Sequence, residues 1–289
     1  MQVTLEHVTH TYQPDSPFQA TAIRDVNMVI QPGEFLALIG HTGSGKSTLA
    51  QHINGLLKPT EGRVLLDGKD IHAKGFDKKA VRQRVGLVFQ YPEHQLFEET
   101  VAKDVAFGPK NLGLGEKEIK ERVMEALERV GLSQPGIAEK SPFELSGGQM
   151  RRAAMAGVLA MRPEILVLDE PAAGLDPQSR EDMLQLIAGL HRQGTAIVMI
   201  SHSMDDVARF ATRAVVMEHG TIAMEGPPEE IFRHAERLEQ MGLDVPSVCK
   251  LGLRLREMGI DCPSELFREE QAERALLNLW KGGKIHGAE

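Results

Sequence analysis

The stretch "GHTGSGKS", Gly40 to Ser47, has the residue spacing of a phosphate-binding loop, G-x-x-x-x-G-K-[ST]. It follows an apolar stretch that predicts a buried strand, "GEFLALIG", and precedes a helical pattern, which is the setting that phosphate binding needs. Glycines let backbone N–H groups approach phosphates, Lys46 supplies a positive charge, and the Ser47 hydroxyl can bind Mg²⁺. The residues expected to contact a nucleotide here are Gly40, His41, Thr42, Gly43, Ser44, Gly45, Lys46, Ser47 and Thr48.

Two adjacent carboxylates end a second apolar stretch, "ILVLDE", which runs from Ile165 to Glu170. Side chains alternate along a strand, so Asp169 and Glu170 are expected to point in different directions. One can join the Mg²⁺ shell, while the other can orient or deprotonate an attacking water. A strand that ends in Asp-Glu is a weak signal alone, but beside a phosphate loop it strongly indicates a hydrolytic site.

The segment "LSGGQ", Leu145 to Gln149, precedes a helical pattern, "MRRAAMAGVLAM", and is a second candidate anion site. Ser146 is predicted to cap this helix, and the two glycines that follow allow another group to approach closely. A second anion site is unexpected in a chain that already has a phosphate loop, so it requires a separate explanation.

The elements that must position these residues alternate between strands and helices. Continuous apolar strands such as "ILVL" and "AIVMI" predict a parallel sheet covered on both faces. Helical spacing after the phosphate loop continues through Leu49, Ile53 and Leu56. Near the N-terminus, "MQVTLEHVTHTY" and "AIRDVNMVI" predict further strands.

The domain organisation follows from where the helical patterns fall. Residues from about 93 to 164 are predominantly helical in pattern, with Ile119, Val123 and Leu127 spaced for one helix face. We therefore predict an α/β domain over residues 1–228 with a helical insert at about 93–164. A small helical unit is predicted for residues 229–289.

Composition limits the class of protein. The chain has 33 Lys and Arg against 41 Asp and Glu, and the resulting net charge of −8 argues against a dedicated nucleic-acid binder.

Cys249 and Cys262 are expected to be free thiols in a reducing cytosol, since no signal-peptide pattern or disulfide framework is visible. No apolar run approaches the ~18–20 residues that cross a bilayer, so work at a membrane would need another protein as anchor.

Taken together, these motifs resemble those of the ATP-binding subunits of ABC transporters over residues 3–228, and "LSGGQ" is the most specific of them. The resemblance implies a P-loop NTPase fold of the α/β class, with a parallel core sheet and antiparallel N-terminal strands. It also implies a head-to-tail dimer in which the "LSGGQ" of one chain closes over ATP held by the other, which explains the second anion site.

The resemblance further implies roles for single residues. Glu170 matches the catalytic carboxylate, and His202 matches the histidine that senses the γ-phosphate. Asp169 is implied to bind Mg²⁺ together with Ser47. Tyr12 matches the aromatic that stacks on adenine, although an ordinary surface aromatic on a strand is the alternative. The residues implied to serve the partner chain's nucleotide are Ser146, Gly147, Gly148, Gln149 and Asp176.

The stretch "FQYPEHQLFEET", Phe89 to Thr100, joins the core to the insert. Gln90 matches the family's glutamine that contacts Mg²⁺ and the attacking water, so it is expected to be both a catalytic residue and a hinge. Leu96 and Phe97 lie where a transmembrane subunit docks in this family. Packing inside the insert is the alternative for these two side chains.

Two longer stretches, "FQYPEHQLFEETVAKDVAFGPKNLG" and "ELSGGQMRRAAMAGVLAMRPEILVLDEPAAGLDP", closely resemble the ATPases of energy-coupling factor importers of vitamins and metal ions. The N-terminal loop is similar to that of the second ATPase in the two-ATPase version. The resemblance implies ATP and Mg²⁺ as cofactors and a peripheral position on the cytoplasmic side of the cell membrane.

The same resemblance implies the partners. This chain would pair with itself or with a related ATPase, helped by the C-terminal unit, and no nucleic acid is expected. It would bind a transmembrane scaffold and, through it, a small substrate-binding membrane subunit. The alternatives are the ATPase of another ABC transporter type, or an ABC ATPase outside transport. Relatives of the latter kind carry a long coiled-coil insert or two such domains in one chain, and this sequence has neither.

Overall fold

Ten strands in the described part of the chain, residues 1–263 and 265–281 of a computed structural model, form two sheets. The strands are β1 (Val3–Tyr12), β2 (Ala20–Ile30), β3 (Phe35–Ile39), β4 (Glu61–Leu66), β5 (Lys69–Asp70), β6 (Val85–Val88), β7 (Ile165–Asp169), β8 (Ala196–Ile200), β9 (Arg213–Glu218) and β10 (Thr221–Gly226). This arrangement confirms the predicted α/β fold of the P-loop NTPases.

The larger sheet has the strand order β10-β9-β3-β8-β7-β6, and all its neighbours are parallel except the pair β9 and β10. Every residue of β3, β7 and β8 is buried, which is why these stretches are apolar without interruption. Leu38 pairs with Ile200, and Ile200 pairs with Asp169. The carboxyl ends of the central strands are therefore level with one another.

The smaller sheet has the order β2-β1-β4-β5 and is antiparallel throughout, as predicted for the N-terminal strands. Its buried positions along β1 alternate at first, with Val3 and Leu5 inward. The register shifts beyond Glu6, where Gly62 lies against the bulge. A Cβ at Gly62 would come within 2.1 Å of the His7 carbonyl oxygen, so the bend needs glycine.

The helices of the described residues cover both faces of the larger sheet and build the insert. They are α1 (Lys46–Ile53), α2 (Lys78–Arg84), α3 (Val101–Asn111), α4 (Glu116–Arg129), α5 (Gly147–Leu159), α6 (Pro177–Arg192), α7 (Met204–Phe210), α8 (Pro228–Phe232), α9 (Ala235–Gln240), α10 (Ser247–Glu257) and α11 (Glu269–Lys281). Short 3₁₀ turns add Pro92–Gln95 and Pro142–Glu144.

The first helix is shorter than its apolar spacing predicts. It ends at Ile53, with Asn54 as C-cap, because Gly55 adopts a left-handed conformation with φ of 71°. Leu56 consequently lies outside the helix and is exposed. In α4, by contrast, the predicted face is correct: Val123 and Leu127 are buried.

The C-terminal helices divide between two apolar clusters. Phe232, Leu238 and Phe267 join the core beneath the larger sheet, whereas Leu266 and Leu279 belong to a separate small cluster. The boundary predicted at residue 228 and the dimerisation role of the unit stay predictions. Residues 264 and 282–289 of that unit lie outside the described residues.

Two further features concern the whole described chain. Cys249 and Cys262 are free, as expected; Cys262 is buried and Cys249 is half-buried, with its Sγ donating to the Leu266 carbonyl. Burial, with a contribution from Asp205, raises the pKa of the Cys249 thiol to about 11. Of the helices between residues 1 and 281, leaving out 264, none has the length and apolar character needed to span a membrane.

Candidate functional site

The phosphate loop connects β3 to α1, as its sequence predicts. Within it the Lys46 ammonium donates to the carbonyls of Gly40 (2.7 Å) and His41 (2.9 Å), so the loop curls around its own lysine. Gly45 has a φ of 100°, and a Cβ there would lie 2.6 Å from the Ala22 carbonyl oxygen. Only glycine allows both this conformation and this approach.

A cavity of about 330 Å³ opens beside the loop. It is lined by most of the residues that are predicted to contact the nucleotide bound to their own chain. Its lining comprises Ala22, Thr42, Gly43, Gly45, Lys46, Ser47, Thr48, Gln90, Glu170 and His202. The loop enters from β3, Gln90 follows β6, Glu170 follows β7 and His202 follows β8. These side chains lie far apart in sequence and meet because their parallel strands end at one edge of the sheet.

Burial and charge compete at the base of the cavity. Burial lowers the pKa of Lys46, while the negative charges of Glu170 and Asp169 oppose that shift. Burial likewise raises the pKa of Asp169, against the hydrogen bond that Ser47 donates to it. Ser47, Asp169 and Gln90 thus bring hydroxyl, carboxylate and amide oxygens to the loop, and such oxygen donors suit Mg²⁺.

Glu170 is held from two sides. The Gln90 side-chain amide donates to Oε2 of Glu170 at 3.1 Å, and Nε2 of His202 lies 2.7 Å from Oε1. Asp169 instead faces Ser47, so the two carboxylates contact different groups, as the alternation along a strand predicts. This arrangement orients one carboxylate toward the cavity and leaves the other for a cation.

The backbone of Glu170, the residue that follows β7, has an unusual conformation. Its φ of 50° lies in the left-handed region, which a residue other than glycine adopts at a cost of about 1–3 kcal/mol. Its N–H donates to the Ile200 carbonyl at 3.2 Å, which ties it to the neighbouring strand. The chain turns here so that the Glu170 carboxylate reaches the cavity.

Tyr12 lies at the rim of the site. Its hydroxyl is 3.1 Å from Oγ1 of Thr48, which lines the cavity, and the residue is 40% exposed. The structure therefore places an exposed aromatic residue near the phosphate loop, while its contact with adenine stays a prediction.

The "LSGGQ" residues lie elsewhere in the chain, and they do not belong to the described lining of this cavity. Ser146 caps α5 as predicted: its hydroxyl accepts from the Gln149 N–H, and its own N–H donates to Oε1 of the Gln149 side chain. Asp176 likewise caps α6 through the Ser179 N–H at 3.0 Å. Both motifs form capped N-termini of helices, and neither contributes to the described lining of the cavity in the same chain.

Comparison with known proteins identifies the family. The ABC transporter family model matches residues 23–173. The energy-coupling factor transporter ATP-binding proteins EcfA2 of Symbiobacterium thermophilum and Clostridium tetani are 54% and 52% identical to this chain, over 98% and 97% of it and 98% of each relative. The chain belongs to the energy-coupling factor ATP-binding proteins of the ABC family.

Solved structures agree with this assignment. CbiO1 from Clostridium perfringens, described as part of the ABC transporter complex CbiONQ, has a TM-score of 0.73 and 37% identity, covering 89% of this chain and 96% of that one. A dimeric ATP-binding cassette, MJ0796 with ADP and phosphate, has a TM-score of 0.68 and 32% identity over 78% of this chain and 98% of its own. This ABC ATPase is thus an ATP-hydrolysing transporter subunit.

One residue of this ATPase that sequence reasoning missed is Arg151, on α5 just after "LSGGQ". It is 3% exposed and forms two hydrogen bonds with the Glu93 carboxylate, at 2.7 and 3.0 Å. It also donates to the carbonyls of Ala173 (2.6 Å) and Pro171 (3.3 Å), which follow Glu170. One guanidinium therefore joins α5 to the segments after Gln90 and after Glu170. The arginine is visible in the sequence, but its burial is not.

Of the two apolar residues near the expected docking site, Leu96 follows the alternative of packing inside the protein, whereas Phe97 faces outward. Leu96 is 6% exposed and is buried, whereas Phe97 is 60% exposed. The Phe97 ring meets Phe107 edge to face, with centroids 5.1 Å apart. Both rings line a groove of about 400 Å³ between the insert and the core of this ABC ATPase, to which Leu56 and Phe89 of the core contribute. A pair of apolar residues in sequence cannot reveal which one turns inward.

Replacing Arg151 by Met is expected to lower the free energy of unfolding by about 3–5 kcal/mol, because Glu93 and two carbonyls lose a buried partner. Urea unfolding of the full-length protein measures the change. Lys103→Met, which removes a surface pair with Glu99 in the same insert, is the control and should cost at most about 1 kcal/mol. Equal losses for the two variants would contradict the structural role of Arg151.

Proposed function

We propose that this chain binds ATP together with Mg²⁺. Hydrolysis of that ATP would drive an importer of vitamins or metal ions. The observation that carries the proposal is the Glu170 carboxylate held between Gln90 and His202 beside the phosphate loop. A carboxylate in this position can accept a proton from an attacking water. The names of the relatives, energy-coupling factor transporter ATP-binding proteins, support the transport assignment.

In the proposed mechanism, the loop N–H groups and Lys46 bind the phosphates. Ser47, Gln90 and Asp169 would hold Mg²⁺, which supplies charge neutralisation when bound. When ATP binds, His202 would exchange its contact with Glu170 for the γ-phosphate, so that the nucleotide changes the position of its ring. Glu170, with Gln90 still orienting its carboxylate, would then take the proton of the attacking water.

The second half of each ATP site would come from another chain. The residues proposed to contribute it are Ser146, Gly147, Gly148, Gln149 and Asp176, none of which belongs to the described lining of the chain's own cavity. The related cassette that was solved as a dimer supports this arrangement. The partner would be a second copy or a related ATPase.

The C-terminal unit would strengthen this dimer. Exposed apolar side chains on α10 and α11 offer a surface for it; they are Leu251, Leu253, Leu277 and Trp280. Domain boundaries at 1–228 and 229–289 belong to the same proposal.

The groove around Phe97 would receive a transmembrane scaffold, and the ATPase would then lie at the cytoplasmic side of the cell membrane. Phe97 and Phe107 are both exposed and apolar, and the buried Leu96 lines the same groove. The relation to a protein from the CbiONQ complex supports a scaffold partner. A small substrate-binding membrane subunit would then connect through the scaffold only.

Glu170→Gln is expected to keep ATP binding and to lower turnover about 10²–10⁴-fold, because an amide cannot accept the proton. Phosphate release and equilibrium ATP binding measure the two effects in the assembled transporter. The matched control is Glu164→Gln at the opposite end of β7, where the carboxylate pairs with Arg84. Wild-type turnover in Glu170→Gln would exclude Glu170 as the base.

Phe97→Ser is expected to reduce transport in reconstituted vesicles while nucleotide binding stays intact, because it removes the exposed ring of the proposed docking groove. Co-purification with the transmembrane scaffold should fall in parallel. Met124→Ser serves as the control, since Met124 is similarly exposed on α4 of the same insert. Full transport and full scaffold recovery with Phe97→Ser would contradict docking at this groove.

A further inference from the structure

Three aromatic rings form a continuous row that leads from the rim of the ATP site into the core. Tyr12 meets His10 edge to face, with centroids 4.6 Å apart and planes at 79°. His10 in turn meets His52 at 4.8 Å and 65°. Tyr12 and His10 lie on β1, whereas His52 lies on α1, which follows the phosphate loop. The row therefore joins the smaller sheet to the helix that begins at the phosphates.

The inner members of the row are fixed in place. His10 is 8% exposed, and its Nδ1–H donates to the Lys58 carbonyl at 3.2 Å. His52 is fully buried. Tyr12, in contrast, is 40% exposed, and its hydroxyl contacts Thr48 at 3.1 Å. Contacts at the hydroxyl and at the ring together restrict its side-chain rotation, although much of the residue stays exposed.

The buried imidazole acts as a neutral packing surface. Neither ring nitrogen of His52 makes a well-formed hydrogen bond within residues 1–263 and 265–281. Burial lowers the pKa of His52 to about 3, His10 and His72 act in the same direction, and the Leu57 backbone opposes them. In that described part of the chain, the imidazoles form no group of three or more side chains suited to a metal ion. Ring packing is the role that these contacts support.

We propose that His10, seated on His52, is a positioning residue that holds the Tyr12 ring ready for the base of ATP. This inference rests on the proposed role of Tyr12 as the ring that stacks on adenine. An exposed tyrosine side chain loses rotational freedom when a ligand binds, and a ring that is already fixed loses less. His10 therefore contributes to affinity for the base without touching it.

The test measures binding of two probes to the full-length protein by titration calorimetry. Mg²⁺-ATP carries a base, whereas Mg²⁺-tripolyphosphate contacts the phosphate loop and has none. His10→Leu removes the ring and the donor; His10→Phe keeps a ring and removes only the donor. We expect His10→Leu to weaken ATP binding about 3- to 10-fold, the range of an aromatic pair, and to leave tripolyphosphate binding unchanged. His10→Phe should stay within about 2-fold of the natural chain for both probes.

Several results would overturn the inference. An equal loss for both probes would mean that His10 only maintains the fold, and unchanged ATP binding in His10→Leu would mean that the ring does not matter. A His10→Phe variant as weak as His10→Leu would assign the effect to the Lys58 hydrogen bond instead.

Tyr12→Ala separates this inference from the proposal on which it rests. If Tyr12→Ala weakens ATP binding and His10→Leu does not, the inference alone fails. If Tyr12→Ala leaves ATP binding unchanged, the stacking role of Tyr12 fails as well. Combining the two substitutions should cost no more than Tyr12→Ala alone, because His10 acts through that ring.

Discussion

The level carboxyl ends of four neighbouring parallel strands are the constraint on which the site depends. β3, β8, β7 and β6 end together, so the residues that follow them meet although they lie up to about 160 positions apart in the chain. Each strand is buried on both faces and cannot slide without exposing its apolar residues. The distances around Glu170 are therefore set mainly by the sheet, because Gln90, Glu170 and His202 follow their strands by only one or two residues.

The insert adds a second constraint, because a buried guanidinium requires partners on every side. Arg151 meets this requirement with Glu93 and with two carbonyls beyond Glu170, which fixes α5 relative to both segments. The short turn Pro92–Gln95 lies between Gln90 and the groove at Phe97. A displacement at the groove thus has a connected route of packed and charged groups to the site, which is the physical basis that coupling needs.

Much of this structure follows from local sequence rules. The apolar strands, the glycine spacing of the phosphate loop and the Ser146–Gln149 cap depend on neighbours within a few residues, and each was predictable. The end of α1 at Gly55 is also a local cap, which the apolar spacing obscured. Other features depend on contacts between distant segments, such as the burial of Leu96 beside the groove between insert and core. The left-handed backbone of Glu170 is set by the pairing of β7 with β8, which no single stretch of sequence contains.

The state of the Cys249 thiol has a practical consequence for experiments on this ATPase. Because burial raises the pKa of this thiol to about 11, very little of it is the reactive thiolate at pH 7. Burial also raises the pKa of Cys262, whose side chain is 5% exposed. Both natural cysteines are consequently poor targets for maleimide dyes. Fluorophores or spin labels can therefore be attached at introduced surface cysteines without first removing the native ones.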